Sequence, residues 1–161
     1  MTRDAYGAYV EREIRGYAEQ NVASGRWNPA EAPARAAADF ERLLPQGLES
    51  PGQFIFEVED VGGPTRVGHL WIAIDPKETI PQAFVYSLAI HPEHQRRGFG
   101  EAAMKAAERF AIDRGARRIG LNVFGHNDVA HRLYARLGYR TVAELMGKEL
   151  APAADWAARP P

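Results

Sequence analysis

The sequence predicts a single mixed α/β domain, a partly antiparallel sheet flanked by helices. Three observations carry this. The hydrophobic period is helical as far as Leu44 and changes to two from about residue 53. Two alternating runs are separated by the turn signal Gly62-Gly63-Pro64, which reads as a hairpin. Within residues 83–123, an apolar run, a glycine turn, a helical pattern and another alternating run follow one another. That succession reads as a right-handed parallel crossover.

The elements follow in order. Residues 4–24 place Tyr6, Tyr9, Val10, Ile14, Tyr17 and Ala18 at helical spacing, with Thr2 or Asp4 available as a cap and Gly25 at the end. Asn28-Pro29 opens a second helical segment whose face is Ala36, Ala37, Phe40, Leu43 and Leu44. Pro33 suits only its first turn, and Pro45-Gln46-Gly47 stops it. Strands are expected over 53–59 and 66–74 as an antiparallel pair, and over 83–90 after a loop from Asp75 to Pro81. A helix over 100–114 buries Ala103, Met104, Ala107, Phe110 and Ala111 and ends at Gly115. Arg118 to Val123 alternates as a strand. Asn127 can cap a helix over 128–137 that Gly138 ends, and Tyr139 to Leu150 is expected to hold one or two short terminal strands.

Composition narrows the function. The chain has 161 residues, 45% of them apolar, enough for one domain over 1–150 with a substantial core; the Ala- and Pro-rich residues 151–161 are expected to form a poorly ordered tail. A formal charge of −1 without a basic stripe argues against a general nucleic-acid or membrane-surface binder. There is no cysteine, which removes disulfides, thiolate nucleophiles and cysteine metal sites. No apolar run reaches membrane length and the first residues lack a signal-peptide core, so a cytoplasmic location is expected.

The chemistry-bearing stretch is Ile90 to Glu101. An apolar run enters it, a helix leaves it, and Gly98 and Gly100 lie between, preceded by Arg96 and Arg97. A strand that turns through glycines into a helix start converges unpaired N–H groups where the helix dipole is positive, which suits a pyrophosphate. No Gly-Lys-Ser/Thr ending exists for a P-loop, and the dinucleotide fingerprint lacks its third glycine and its early position.

Gln95-Arg96-Arg97-Gly98-Phe99-Gly100 resembles the Q/R-x-x-G-x-G/A signature of the GCN5-related N-acetyltransferase (GNAT) superfamily. Asn122 to Asn127, then Ala130, Leu133-Tyr134 and Leu137-Gly138-Tyr139, resemble the second half of the same core, and Met146 to Leu150 its last strand. The likeness covers roughly residues 53–150 and implies the GNAT acyl-CoA N-acyltransferase fold with acetyl-CoA as co-substrate. It also implies that Gln95, Arg96, Arg97, Gly98, Phe99 and Gly100 grip the pyrophosphate. Leu88, Ala89 and Ile90 would pair with the pantetheine arm, Asn127 would contact the coenzyme, and Tyr134 would protonate the leaving thiolate.

The implied reaction is direct attack of a primary amine, on a small molecule or a peptide or protein, with a backbone N–H near Leu88 to Ile90 holding the oxyanion. Relatives often carry a carboxylate where this chain has Ala89, which leaves Glu57, Glu59, His69 and His91 as candidate bases. The acceptor would be met by the loop Ala23 to Asn28, with Trp27 and Tyr17 as walls. Family members usually begin with a strand that this chain does not show, so both a monomer and a homodimer stand open. His91 and His94 lack a third ligand, and no metal is assigned. The alternative reading is a non-catalytic acyl-CoA-binding or sensing module that lost its base.

Overall fold

Helix α1 runs Arg3–Ala23 and α2 runs Ala32–Leu43; strands β1 (Gln53–Glu59), β2 (Arg66–Ile74) and β3 (Gln82–Ile90) follow, then α3 (Phe99–Asp113), β4 (Arg118–Leu121) and α4 (Asp128–Arg136). The structure, a computed structural model, describes residues 1–75 and 81–148. Most of the loop expected at Asp75 to Pro81 and the whole of the expected tail lie outside the described residues. Local chemistry sets the helix ends. Thr2, rather than Asp4, caps α1, its Oγ1 accepting from Ala5 N at 3.4 Å, while Asp4 adds negative charge to the first turn. Pro33 sits in the first turn of α2, where a backbone N–H has no helical partner to lose.

The sheet order is β1-β2-β3-β4; the first three strands are antiparallel and β4 is parallel to β3. Period-two alternation gives the sheet two apolar faces. On one face Leu70, Ile72, Ile74, Ala83 and Val85 pack on Met104, Ala107 and Ala111 of α3, with Tyr134 and Leu137 of α4 alongside. On the other, Ile55 and Trp71 pack on Tyr9 of α1 and on Phe40 and Leu44 at the end of α2. Complete burial of a side chain such as Ile72 or Met104 contributes about 1.5–3 kcal/mol. Trp71 is buried without an orphaned donor, because its indole Nε1–H donates to Gln53 Oε1 at 2.8 Å.

Two expectations fail. The strand expected to Val123 ends at Leu121. It has nothing to pair with beyond that point, since β3 and β4 are in register only from Gln82↔Arg118 to Val85↔Leu121. The expected terminal strands are absent among the described residues 139–148. Residues 140–148 are exposed, and Val142, Leu145 and Met146 do not alternate strictly enough to define one buried face.

Gly68 pairs with Ile90 at the far end of the β2–β3 ladder. A Cβ there would lie 2.2 Å from the Ala89 carbonyl oxygen and 3.0 Å from Ile90 Cα, both backbone atoms that cannot rotate away. Gly68→Ala is therefore expected to destabilise the protein by about 1–3 kcal/mol, read as a lower urea midpoint at unchanged slope.

Candidate active site

The site begins with an irregularity in β3. Trp71 pairs with Ser87 and Ile72 pairs with Val85, so Tyr86 is an extra residue, a β-bulge. A bulge bends its strand and re-aims the side chains around it. Here it turns Tyr86 and Ser87 toward the α1/α2 face together: the Tyr86 ring stacks on Trp71 at 4.6 Å, and Ser87 Oγ bonds Glu13 of α1. It also coincides with the end of β3–β4 pairing at Val85. From Tyr86 to Ile90, the backbone groups of β3 that point away from β2 have no strand partner among the described residues. Leu88, Ala89 and Ile90 are half-buried along this opening, and the Ile90 carbonyl accepts from Gln95 Nε2 at 2.9 Å.

The chain then makes a short 3₁₀ turn, Pro92–His94, and enters α3 through two left-handed residues, Arg96 at φ +62° and Gly98 at φ +86°. Glycine accepts that conformation freely, whereas for Arg96 it costs about 1–3 kcal/mol. Gln95 N bonds the Pro92 carbonyl and Ala102 N bonds Gly98; between them the N–H groups of residues 96–101 make no hydrogen bond among the described residues. Gly98 is the N-cap and offers no side-chain acceptor, so these donors converge unmet at the positive end of the helix. Gly100 is not demanded by the protein's own packing: a Cβ would meet Leu133 Cδ2 at 3.5 Å and Ile90 Cγ1 at 3.8 Å, ordinary contacts. Arg97 is held by Asp60 at 3.7 Å and lies 5.1 Å from the centre of the Phe99 ring, while Arg96 is exposed and unpaired among the described residues.

Across the opening, Asn127 caps α4, its Oδ1 accepting from Ala130 N at 3.1 Å. Tyr134 lies half-buried two turns further on, against the α3-face core and 5.7 Å from the Tyr139 ring. Burial pushes its phenol above the ordinary range and so keeps it protonated at neutral pH. Tyr17 and Trp27 meet edge to face at 5.2 Å, packed on the α1–α2 contact with Ala18, Ala32 and Ala36. Among the base candidates, Glu57 pairs with Arg66 at 3.0 Å, His91 lies 3.9 Å from Glu93, and Glu59 is exposed at the end of β1.

His69 differs from these. It is 4% exposed, and its Nε2 lies 2.9 Å from Glu13 Oε1 and 3.3 Å from Ser87 Oγ, which donates to Glu13 Oε2 at 2.5 Å. Neither Glu13 nor Ser87 was among the residues singled out from the sequence. Glu13 did carry a signal: it falls between Tyr9 and Tyr17 at intervals of four, inside the apolar stripe of α1 where a carboxylate is out of place. Ser87 carried none, since only the bulge brings it to that face.

This geometry defines an acyltransferase class of site, a strand that parts from its parallel neighbour beside an unmet cluster of N–H donors at a helix start. The Acetyltransferase (GNAT) family model matches residues 12–139, and the chain belongs to that family of acetyltransferases. It is 30% identical to the uncharacterized N-acetyltransferase YdgE of Bacillus subtilis over 93% of this chain and 95% of that protein. The crystal structure of YycN from the same organism, also 30% identical, superposes with a TM-score of 0.88 over 94% of this chain and 96% of that one. An acetyl transferase structure from Pyrococcus furiosus, 28% identical, gives 0.64 over 89% and 95%.

Burial by itself would raise the Glu13 carboxyl, but the hydrogen bonds from His69 and Ser87 and the pull of His69 outweigh it and hold the group below its usual range. The unfolded chain therefore binds the Glu13 proton more readily than the folded one. The resulting stabilisation is complete above the unfolded value, about pH 4.3, and is lost as pH falls through the lower folded value. Urea unfolding across acidic pH should show a shallower loss of stability for Glu13→Gln than for the wild type.

Proposed function

We propose that the protein moves the acetyl group of acetyl-CoA directly to a primary amine, on a small molecule or on a peptide or protein. The observation that carries this reading is the run of unbonded N–H groups at residues 96–101, set beside the unpaired edge of β3. A pyrophosphate supplies the acceptors those donors lack, and an amide-bearing arm supplies strand-like partners for Leu88, Ala89 and Ile90. Gln95, Arg96, Arg97, Gly98, Phe99 and Gly100 form the cradle, with Arg96 free to add charge. The open space at the Cβ position of Gly98 suits a close approach of the ligand to the backbone.

The thioester supplies an activated acetyl group and a thiol leaving group. An N–H of the 88–90 edge stabilises negative charge on the carbonyl oxygen, and Tyr134 gives its phenolic proton to the departing sulfur. The phenol is protonated at neutral pH and so has a proton to give. Asn127 keeps its Oδ1 in the α4 cap and has its amide N–H groups left for the coenzyme. No group of three or more His, Asp or Glu that could hold a metal occurs among the described residues, and the reading assigns none a part.

Gly98→Glu places an anion at the cradle and forces a non-glycine residue into the left-handed region; acetyl-CoA affinity by titration calorimetry is expected to fall at least tenfold, about 1.4 kcal/mol. Affinity equal to wild type would remove the cradle from residues 95–100. Tyr134→Phe is expected to bind acetyl-CoA normally and to lower kcat by about 100-fold, followed as thiol release in an acceptor screen of amines and peptides. Tight coenzyme binding without turnover on any acceptor would instead favour a non-catalytic acyl-CoA-binding module.

A further inference from the structure

Resting on the acetyl-transfer reading above, we propose that Ser87 and Glu13 take the proton from the acceptor's ammonium group, with His69 as the positioning residue. The first ground is location. Ser87 immediately precedes Leu88–Ile90, where β3 has left β4, and its half-exposed hydroxyl faces the α1 side. Tyr134 packs with the core of the opposite face. An amine arriving from the α1 side and a thiol leaving past Tyr134 would thus use different faces of the sheet.

The second ground is charge. Glu13 is 16% exposed, and only the His69 imidazole lies within ion-pair distance of it among the described residues. A mostly shielded carboxylate with no Lys or Arg paired to it is costly, and a docked ammonium would bring a full positive charge to it. Nor does the cluster close on itself. His69 Nδ1 and the Tyr9 hydroxyl are buried without hydrogen-bond partners, although the two rings meet edge to face at 4.9 Å. With Nδ1 lacking an acceptor, the ring proton belongs on Nε2, where it is given to Glu13 Oε1.

Ser87 already donates to Glu13 Oε2. The step is a relay: an ammonium N–H bond breaks as its proton joins Ser87 Oγ, and the Ser87 proton moves to Glu13 Oε2. The net change is R–NH3⁺ plus carboxylate to R–NH2 plus carboxylic acid, which later releases its proton to water. The freed lone pair is what attacks the thioester carbon. His69 keeps Glu13 turned toward Ser87 throughout. The other groups facing Glu13 are Tyr9 and Arg12 of its own helix.

The test compares wild type, Ser87→Ala and Glu13→Gln in three measurements: acetyl-CoA affinity by calorimetry, and thiol release with phenethylamine and with p-anisidine. The alkylamine is an ammonium at neutral pH, whereas the arylamine is already neutral and needs no base. Both variants should bind acetyl-CoA like wild type, lose about 100-fold in kcat on phenethylamine and lose under about threefold on p-anisidine. Their phenethylamine rates should recover as pH rises toward the amine's own titration, and Ser87→Thr, which keeps the hydroxyl, should retain most of the activity. Equal losses on the two amines, or undiminished turnover of phenethylamine, would overturn the proposal. Failure of the wild type to bind acetyl-CoA would overturn the donor reading instead, and the two failures are separate.

Discussion

The molecule depends on one mismatch, the extra residue Tyr86 between the pairs Trp71↔Ser87 and Ile72↔Val85. A regular β3 would carry its alternation unbroken from Ala83 to Ile90, and Ser87 would point into the α3-face core with Val85. The bulge shifts the phase by one residue, so Ser87 reaches Glu13 on the other side and Leu88 packs inward in its place. The bend it introduces falls where pairing with β4 stops. The strand opening and the polar cluster thus share one local rearrangement. Beyond the bulge β3 stays paired with β2 as far as Gly68↔Ile90, so that it parts from β4 alone.

Two costs stand beside this opening, and neither is explained by stability. Arg96 occupies a left-handed conformation that glycine would adopt freely, and Glu13 is half-buried on an apolar helix face with only the His69 imidazole within ion-pair distance among the described residues. A protein selected only for folding would replace both. The turn at Arg96 and Gly98 leaves six N–H groups unbonded at a helix start among the described residues, and the Glu13 cluster leaves a carboxylate beside the same strand. Unmet donors on one side and a carboxylate without a Lys or Arg partner on the other make complementary demands: one for an anionic ligand, one for a cationic one. A coenzyme pyrophosphate and an acceptor ammonium would answer both.

Most of the architecture was legible in local pattern. The hairpin strands 53–59 and 66–74 match their expected limits, because alternation and the Gly62-Gly63-Pro64 turn are short-range signals. Pro33 and Gly98 marked helix starts through backbone constraints that belong to the residues themselves. Where a strand's extent depended on a partner, the pattern misled: Asn122 and Val123 look like strand but lie beyond the last β3–β4 pair, and residues 139–148 join no strand among the described residues. Tyr17 and Trp27, read from the sequence as walls of an acceptor site, meet edge to face and stay partly exposed on the α1–α2 contact.

By itself, the sequence determined the helix and strand types, the glycine turn and the family, since periodicity, caps and turn residues act within a few positions of the chain. Only the tertiary structure decided that Glu13, His69 and Ser87 meet. They come from α1, β2 and β3, the first and the last 74 positions apart, and their contact needs both the packing of α1 on the sheet and the phase shift at Tyr86. A bulge exists only in the pairing of two strands, two residues opposing one, so the phase shift at Tyr86 appears only when β3 is laid against β2.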